Sequence, residues 1–146
     1  MTKKLIVKNE IQIQATPEKV WEVLVTPKYV AQWDDLPENY PSEKMKEGSK
    51  VVWEHPNGGQ VVTTVIRSLE NKELKIALYS SNWEVEIKEG DIAYLYQLEE
   101  QQDGSTLLSI EIGDFSLLQN GVDYYKGSVE FASESKNIIK KLAESL

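Results

Sequence analysis

From Leu5 to Ala15 the apolar residues Leu5, Val7, Ile11 and Ile13 alternate with Lys8, Glu10, Gln12 and Gln14, the period-two pattern of a strand with one wet face. The run Ala15-Thr16-Pro17-Glu18 stops that strand and predicts a helix. Thr16 can cap it through its hydroxyl, Pro17 suits the first helical position and Glu18 favours the positive helix end. Val20, Trp21, Val23 and Leu24 supply its buried side. Thr26-Pro27 repeats the punctuation and opens a second short helix carrying Tyr29, Val30, Ala31 and Trp33. Helices this short lack independent stability, so both must pack against something. Asp34 to Glu47, with Pro37, Pro41 and little periodicity, reads as an irregular surface segment.

After Gly48 the period is two again until about Ile112. Val51 and Trp53, Val61 to Ile66, then Leu74, Ile76 and Leu78 mark three strands; His55-Pro56-Asn57-Gly58-Gly59 forms the turn between the first two, because Asn-Gly readily takes positive φ. Trp83, Val85 and Ile87 alternate with Glu84, Glu86 and Lys88, predicting a further strand with those charges on its wet side. Ile92, Tyr94, Tyr96 and Leu98, then Thr106, Leu108, Ile110 and Ile112, follow after turns at Glu89-Gly90-Asp91 and Asp103-Gly104. The closing stretch, Gly121 to Leu146, contains no proline, and Val122, Tyr125, Val129, Ala132, Ile139, Leu142 and Leu146 recur at steps of three, four and seven. That is the stripe of one long amphipathic helix, roughly 24 residues and about 36 Å in length. Gly127 interrupts it at a cost of ~1 kcal/mol relative to alanine, which reads as close packing, a late helix start, or a bend over a cavity.

The expected architecture is α+β: an antiparallel meander of six to seven strands, two short helices after the first strand, and a long C-terminal helix covering the sheet. A chain of 146 residues fits one domain, residues 1–146, and buries roughly 68–70% of its unfolded surface on folding. The formal charge of −8, from 24 acidic against 16 basic residues, opposes a phosphate backbone and argues against nucleic acid as a partner. Zero cysteines exclude disulfides, thiol catalysis and cysteine-ligated metals. The basic start, Met1 to Lys4, is followed by an apolar run cut at Lys8, Asn9 and Glu10, so it is not read as a signal peptide. No run reaches the ~18 apolar residues of a membrane span, and a cytoplasmic location is expected.

Catalytic chemistry is sparse. His55 is the only histidine and sits in a proline-bounded turn, which reads as surface rather than as part of a triad. Asp34-Asp35 and Glu99-Glu100 match no metal-binding loop and read as solvated charge. Gly58-Gly59 lacks the surroundings of a phosphate loop. No metal and no cofactor is expected.

The stretch Ala15-Thr16-Pro17-Glu18-Lys19-Val20-Trp21-Glu22-Val23-Leu24, followed by Thr26-Pro27 and ending at Trp33, resembles the opening of the polyketide cyclase and activator-of-heat-shock-90-ATPase homologue families. Asp103-Gly104-Ser105-Thr106-Leu107-Leu108 is similar to the hairpin before the last strand there, and Asn137 to Leu146 to the end of the closing helix. The element order resembles the helix-grip fold of the START and birch-pollen-allergen superfamily (SRPBCC). Tyr124-Tyr125 opens the closing helix here, and the tryptophan these families often carry in that helix is absent.

The resemblance implies a curved sheet gripping the long helix, with an apolar cavity between them reached near the short helices. Trp33, Trp53, Trp83, Tyr94, Tyr96, Phe115, Tyr125 and Val129 fall on predicted inward positions or beside that mouth, and are either ligand contacts or plain core. The leading expectation is non-catalytic binding of a small apolar or amphipathic molecule, lipid or aromatic, with the hydroxyls of Tyr94, Tyr96 and Tyr125 as polar anchors. An enzyme of the cyclase or hydrolase kind, with Asp114 as its acid, is the alternative. A chaperone ATPase as protein partner is the third. The oligomeric state is left open.

Overall fold

The computed structural model describes residues 4–38, 40–56 and 58–146. Met1 to Lys3, Asn39 and the Asn57 of the expected Asn-Gly turn lie outside them. Six strands, β1 (Val7–Ile13), β2 (Lys50–Glu54), β3 (Gln60–Leu69), β4 (Glu73–Ser80), β5 (Ala93–Glu100) and β6 (Thr106–Gly113), form one antiparallel sheet in the order β1-β6-β5-β4-β3-β2. The meander from β2 to β6 is thus closed by the first strand lying on the last, from Val7 opposite Ile112 to Ile13 opposite Thr106. Alternation sets which face is covered: β6 buries Thr106, Leu108, Ile110 and Ile112 and leaves the residues between them partly exposed, as period two requires.

Helices α1 (Pro17–Val25) and α2 (Pro27–Trp33) start as their capping residues dictate. The Thr16 hydroxyl accepts from the Lys19 N–H, and each helix has proline in its first turn. Both are held down by a continuous buried set: Val20, Trp21, Val23, Leu24 and Val25, then Val30 and Trp33. Helix α3 (Gly121–Glu144) is 24 residues long and packs on β1, α1 and α2. A short 3-10 turn, Phe115–Leu117, delivers the chain from β6 to its start.

Two expectations need correction. The stretch from Trp83 to Ile87 is not a strand. The β4–β5 ladder ends where Ala77 meets Ala93, and the chain after Ser80 leaves the sheet as a loop. There the Trp83 indole N–H donates to the Tyr124 hydroxyl (3.2 Å). The rotation of α3 also differs from the predicted stripe. Val122, Val129 and Leu146 are 52%, 41% and 42% exposed, whereas Gly121, Ala132, Ser135, Ile139 and Ala143 are buried. The cause lies at the helix start: a Cβ on Gly121 would lie 1.8 Å from the Phe115 carbonyl oxygen, so only glycine can face the 3-10 turn there. Ser135 then falls on the inward side with Ser128 half-buried, and hydrophobicity alone errs at Val122, Val129 and Leu146, while Ala132 and Ile139 of the predicted stripe are buried as expected. Gly127 lies within the helix and would meet nothing within 4 Å with a Cβ, which removes both the late-start and the close-packing readings.

Candidate functional site

Register across the β2–β5 half of the sheet builds one wall of a cavity. Val51 stands opposite Thr63 and Thr63 opposite Leu78; Trp53 stands opposite Val61; Val65 stands opposite Ile76, and Ile76 opposite Tyr94. All of these, with Tyr96 two residues beyond Tyr94, line a cavity of about 220 Å³. The opposite wall comes from the end of α2, Trp33, Asp34 and Asp35, from Tyr40, Met45 and Ser49 in the irregular segment, and from Phe131 on α3. The segment read as plain surface is therefore a cavity wall. It is tied back by the Met45 N–H, which donates to the Val25 carbonyl (2.9 Å). Helix α3 contributes Phe131 alone to this lining, so the space lies between the sheet and the α2 end of the molecule more than under the long helix.

The aromatic residues are fixed by their own contacts. The Trp33 indole N–H donates to the Val23 carbonyl (2.9 Å), and its ring meets Tyr96 edge-on at 5.9 Å and Phe131 at 6.5 Å. Tyr94 meets Phe131 edge-on at 6.0 Å. The Trp53 indole N–H donates to the Asp35 carbonyl (3.1 Å), joining β2 to the chain just past α2. Such rings give an apolar wall with electron-rich faces.

Of the two carboxylates on this wall, Asp34 and Asp35, the first is the more buried. Asp34 is the C-cap of α2, where its N–H donates to the Val30 carbonyl (2.9 Å). Its Oδ1 accepts from the Asp35 N–H (2.8 Å). No ion pair to it is made among the described residues. Burial pushes its carboxyl up, the Asp35 N–H opposes this, and the Asp35 charge adds to the rise, leaving it at about 6. Burial and the Asp34 charge together raise the phenols of Tyr94 and Tyr96 well above their ordinary range and Tyr40 to about 12. The Tyr40 hydroxyl is buried without a hydrogen-bond partner among the described residues. Asp34, Tyr94 and Phe131 also border an open groove along the first half of α3, shared with Asn120, Asp123, Tyr124, Gly127 and Ser128.

Of the residues singled out in the sequence, the fold brings Trp33, Trp53, Tyr94 and Tyr96 to this cavity. Trp83 and Phe115 belong to a second aromatic group centred on Tyr124, which stacks on Phe115 at 5.8 Å and meets Trp83 edge-on at 6.2 Å. Tyr125 is half-buried and Val129 exposed, and neither lines the cavity. Asp114 is a capping residue: its Oδ1 accepts from the N–H groups of Leu5 and Ser116, both at 2.9 Å. Burial works to raise its carboxyl, but these bonds outweigh burial and hold it below the usual range, which unfits it for an acid at neutral pH. His55 does not line the cavity, and no group of three or more potential ligands is placed to hold a metal among the described residues.

Sequence reasoning missed Asp34, Tyr40, Met45 and Phe131. For Asp34 a signal existed: an acidic residue at a helix C-terminus opposes the helix dipole, and no basic residue lies in the last turn of α2. Phe131 was lost with the misjudged rotation of α3.

The family model described as Activator of Hsp90 ATPase homolog 1-like protein matches residues 14–144. A search of the curated proteins found no match. Among solved structures, the Aha1 dimer from Colwellia psychrerythraea is 16% identical with a TM-score of 0.70, covering 95% of this chain and 96% of its own. A Mesorhizobium loti protein is 20% identical with a TM-score of 0.70, covering 96% and 97%. DynU16, from the dynemicin biosynthetic locus, is 15% identical with a TM-score of 0.69; the likeness takes in 97% of this chain but 48% of that one. Identities this low speak to the fold, which these proteins share. The family match spans nearly the whole chain, and the protein therefore belongs to the Activator of Hsp90 ATPase homolog 1-like family.

Proposed function

We propose that the protein binds a small apolar or amphipathic molecule in the cavity between β2–β5 and the end of α2, without transforming it. The observation that carries this reading is a space of about 220 Å³ walled by Trp33, Trp53, Tyr94, Tyr96 and Phe131. An apolar cavity of about 150 Å³ takes up benzene, and drug-sized ligands occupy roughly 300–1,000 Å³. A single ring or small bicycle therefore fits better than an acyl chain. Burying ~150 Å² of such a molecule contributes about 4 kcal/mol before association costs, so micromolar affinity needs polar anchors, and Asp34 and Tyr40 are placed to serve.

Native mass spectrometry of protein purified without detergent tests this. A reproducible adduct above the 16.7 kDa chain, released on denaturation and carrying a ring, is expected. A bare mass, together with no thermal shift from any of a panel of single-ring aromatic compounds, would remove the reading.

Acid–base catalysis in the same cavity is the second reading, supported by a carboxyl held at about 6, since proton transfer is most effective with a pKa near the working pH. Recovery of the bound molecule chemically unchanged after prolonged incubation would count against it. A chaperone ATPase as partner is supported by the family's name and by the likeness to Aha1. Capture of such an ATPase by the immobilised protein from lysate is the observation it requires.

A further inference from the structure

We infer that the ligand of this cavity is a cation: a small aromatic or otherwise apolar amine whose ammonium group is held by Asp34 against the faces of the surrounding rings. The inference rests on the binding reading above and specifies its chemistry. Three observations support it. First, among the described residues no basic side chain lines either the cavity or the adjoining groove, and Asp34 forms no ion pair. Even partial burial of a carboxylate without a counter-charge is costly, and a ligand cation would supply the missing charge. Second, Trp33, Tyr94, Tyr96 and Phe131 line the same cavity as that carboxylate, with Trp33 edge-on to Tyr96, Tyr94 edge-on to Phe131, and Trp33 tilted against Phe131. Aromatic faces attract cations, most strongly where water is excluded. Third, every other ionisable group on the two linings is a carboxyl or a phenol: Asp35 beside Asp34, Tyr40 in the wall segment, Tyr94 and Tyr96 on β5, and Asp123 and Tyr124 across the groove. Asp123 sits in the first turn of α3, where it offsets the positive end of that helix. An anionic ligand would meet the charges of Asp34, Asp35 and Asp123 with no cation on either lining to offset them.

The test compares benzyltrimethylammonium with its uncharged carbon isostere, neopentylbenzene, by following the indole N–H signals of Trp33 and Trp53 in NMR titrations of the full chain. At pH 7.5 the cation is expected to bind at least about tenfold more tightly than the isostere. Lowering the pH to 5 protonates most of a carboxyl that titrates at about 6 and should weaken the cation about tenfold while leaving the isostere unchanged. Asp34→Asn should abolish the preference for charge and keep the isostere's affinity, with Glu38→Gln, an exposed acid on neither lining, as the control that retains the preference. The isostere binding as tightly as the cation to the unmodified protein would overturn the inference while leaving the binding reading intact. Failure of both probes to shift either indole signal would overturn both.

Discussion

Asp34 costs the free protein stability, and the pH at which it does so is defined. Its carboxyl titrates at about 6 in the fold and near 4 in an unfolded chain. Below pH 4 both states hold the proton and there is no penalty. Between pH 4 and 6 the folded state holds more protons than the unfolded one, so stability falls as pH rises, and above pH 6 the full penalty remains. That gap corresponds to roughly 3 kcal/mol at full weight, and partial exposure beside the groove reduces it to about 1–2 kcal/mol. Asp34→Asn is therefore expected to stabilise the protein by about 1–2 kcal/mol at pH 7.5 and to change little at pH 4, as read from urea denaturation at each pH. An equal gain at both values would show that the carboxylate is not destabilised by its surroundings. Ser135 makes a separate case. It is 1% exposed, and its hydroxyl lacks a partner among the described residues. An unpaired buried hydroxyl costs ~1–3 kcal/mol, and alanine also has the higher helix propensity. Ser135→Ala should raise the melting temperature by about 2–4 °C in a chain of this size; a drop would mean that the hydroxyl has a partner.

Helix α3 shows why the elements were legible and the site only partly so. Period two located all six strands, though it also placed one at Trp83–Ile87 where the chain is a loop, and the Thr-Pro pairs at Thr16-Pro17 and Thr26-Pro27 marked both short helices, because capping depends on local geometry alone. The rotation of α3 depends on one close tertiary approach, that of Gly121 to the Phe115 carbonyl, which leaves no room for a Cβ and which no period reveals. With that rotation went Phe131, and with it part of the cavity wall. The segment after Asp34 was misread for a related reason: its residues have no period to announce burial, and their role comes from bonds such as Met45 to Val25. Two glycines of the same helix separate these levels experimentally. Gly121→Ala places a Cβ 1.8 Å from backbone oxygen and should destabilise by about 3 kcal/mol or more, since the helix must shift to admit it. Gly127→Ala meets no atom within 4 Å and should stabilise by about 0.5–1 kcal/mol through helix propensity and the unfolded chain. Calorimetric melting of the two variants reads both, and a loss of stability in Gly127→Ala would mean that the helix is bent or approached there.

At the scale of the whole molecule, the fold separates a packed half from a half that keeps a cavity. Helix α3 packs on β1, α1 and α2, and the fully buried residues Ile13, Val20, Val23, Leu24, Leu108, Ile110, Ile112 and Ile139 fill that side. The β2–β5 side keeps a space of about 220 Å³ instead. Empty apolar volume forgoes packing energy, so filling the cavity should strengthen the fold while blocking the proposed binding. Val61 suits this test because it lies on β3 opposite Trp53 and is only partly buried, leaving a larger side chain room to enter without crowding the core. Val61→Trp is expected to melt at the same temperature as the unmodified protein or a few degrees higher. Ligand binding to the native state stabilises by RT ln(1 + [L]/Kd), about 2.7 kcal/mol at a hundredfold excess over Kd. A ring compound that raises the melting temperature of the unmodified protein should therefore lose that effect in Val61→Trp. A ligand-dependent shift that survived the substitution would place binding elsewhere, with the groove along α3 and the aromatic group around Tyr124 the next surfaces to probe, since neither shares Val61 with the cavity.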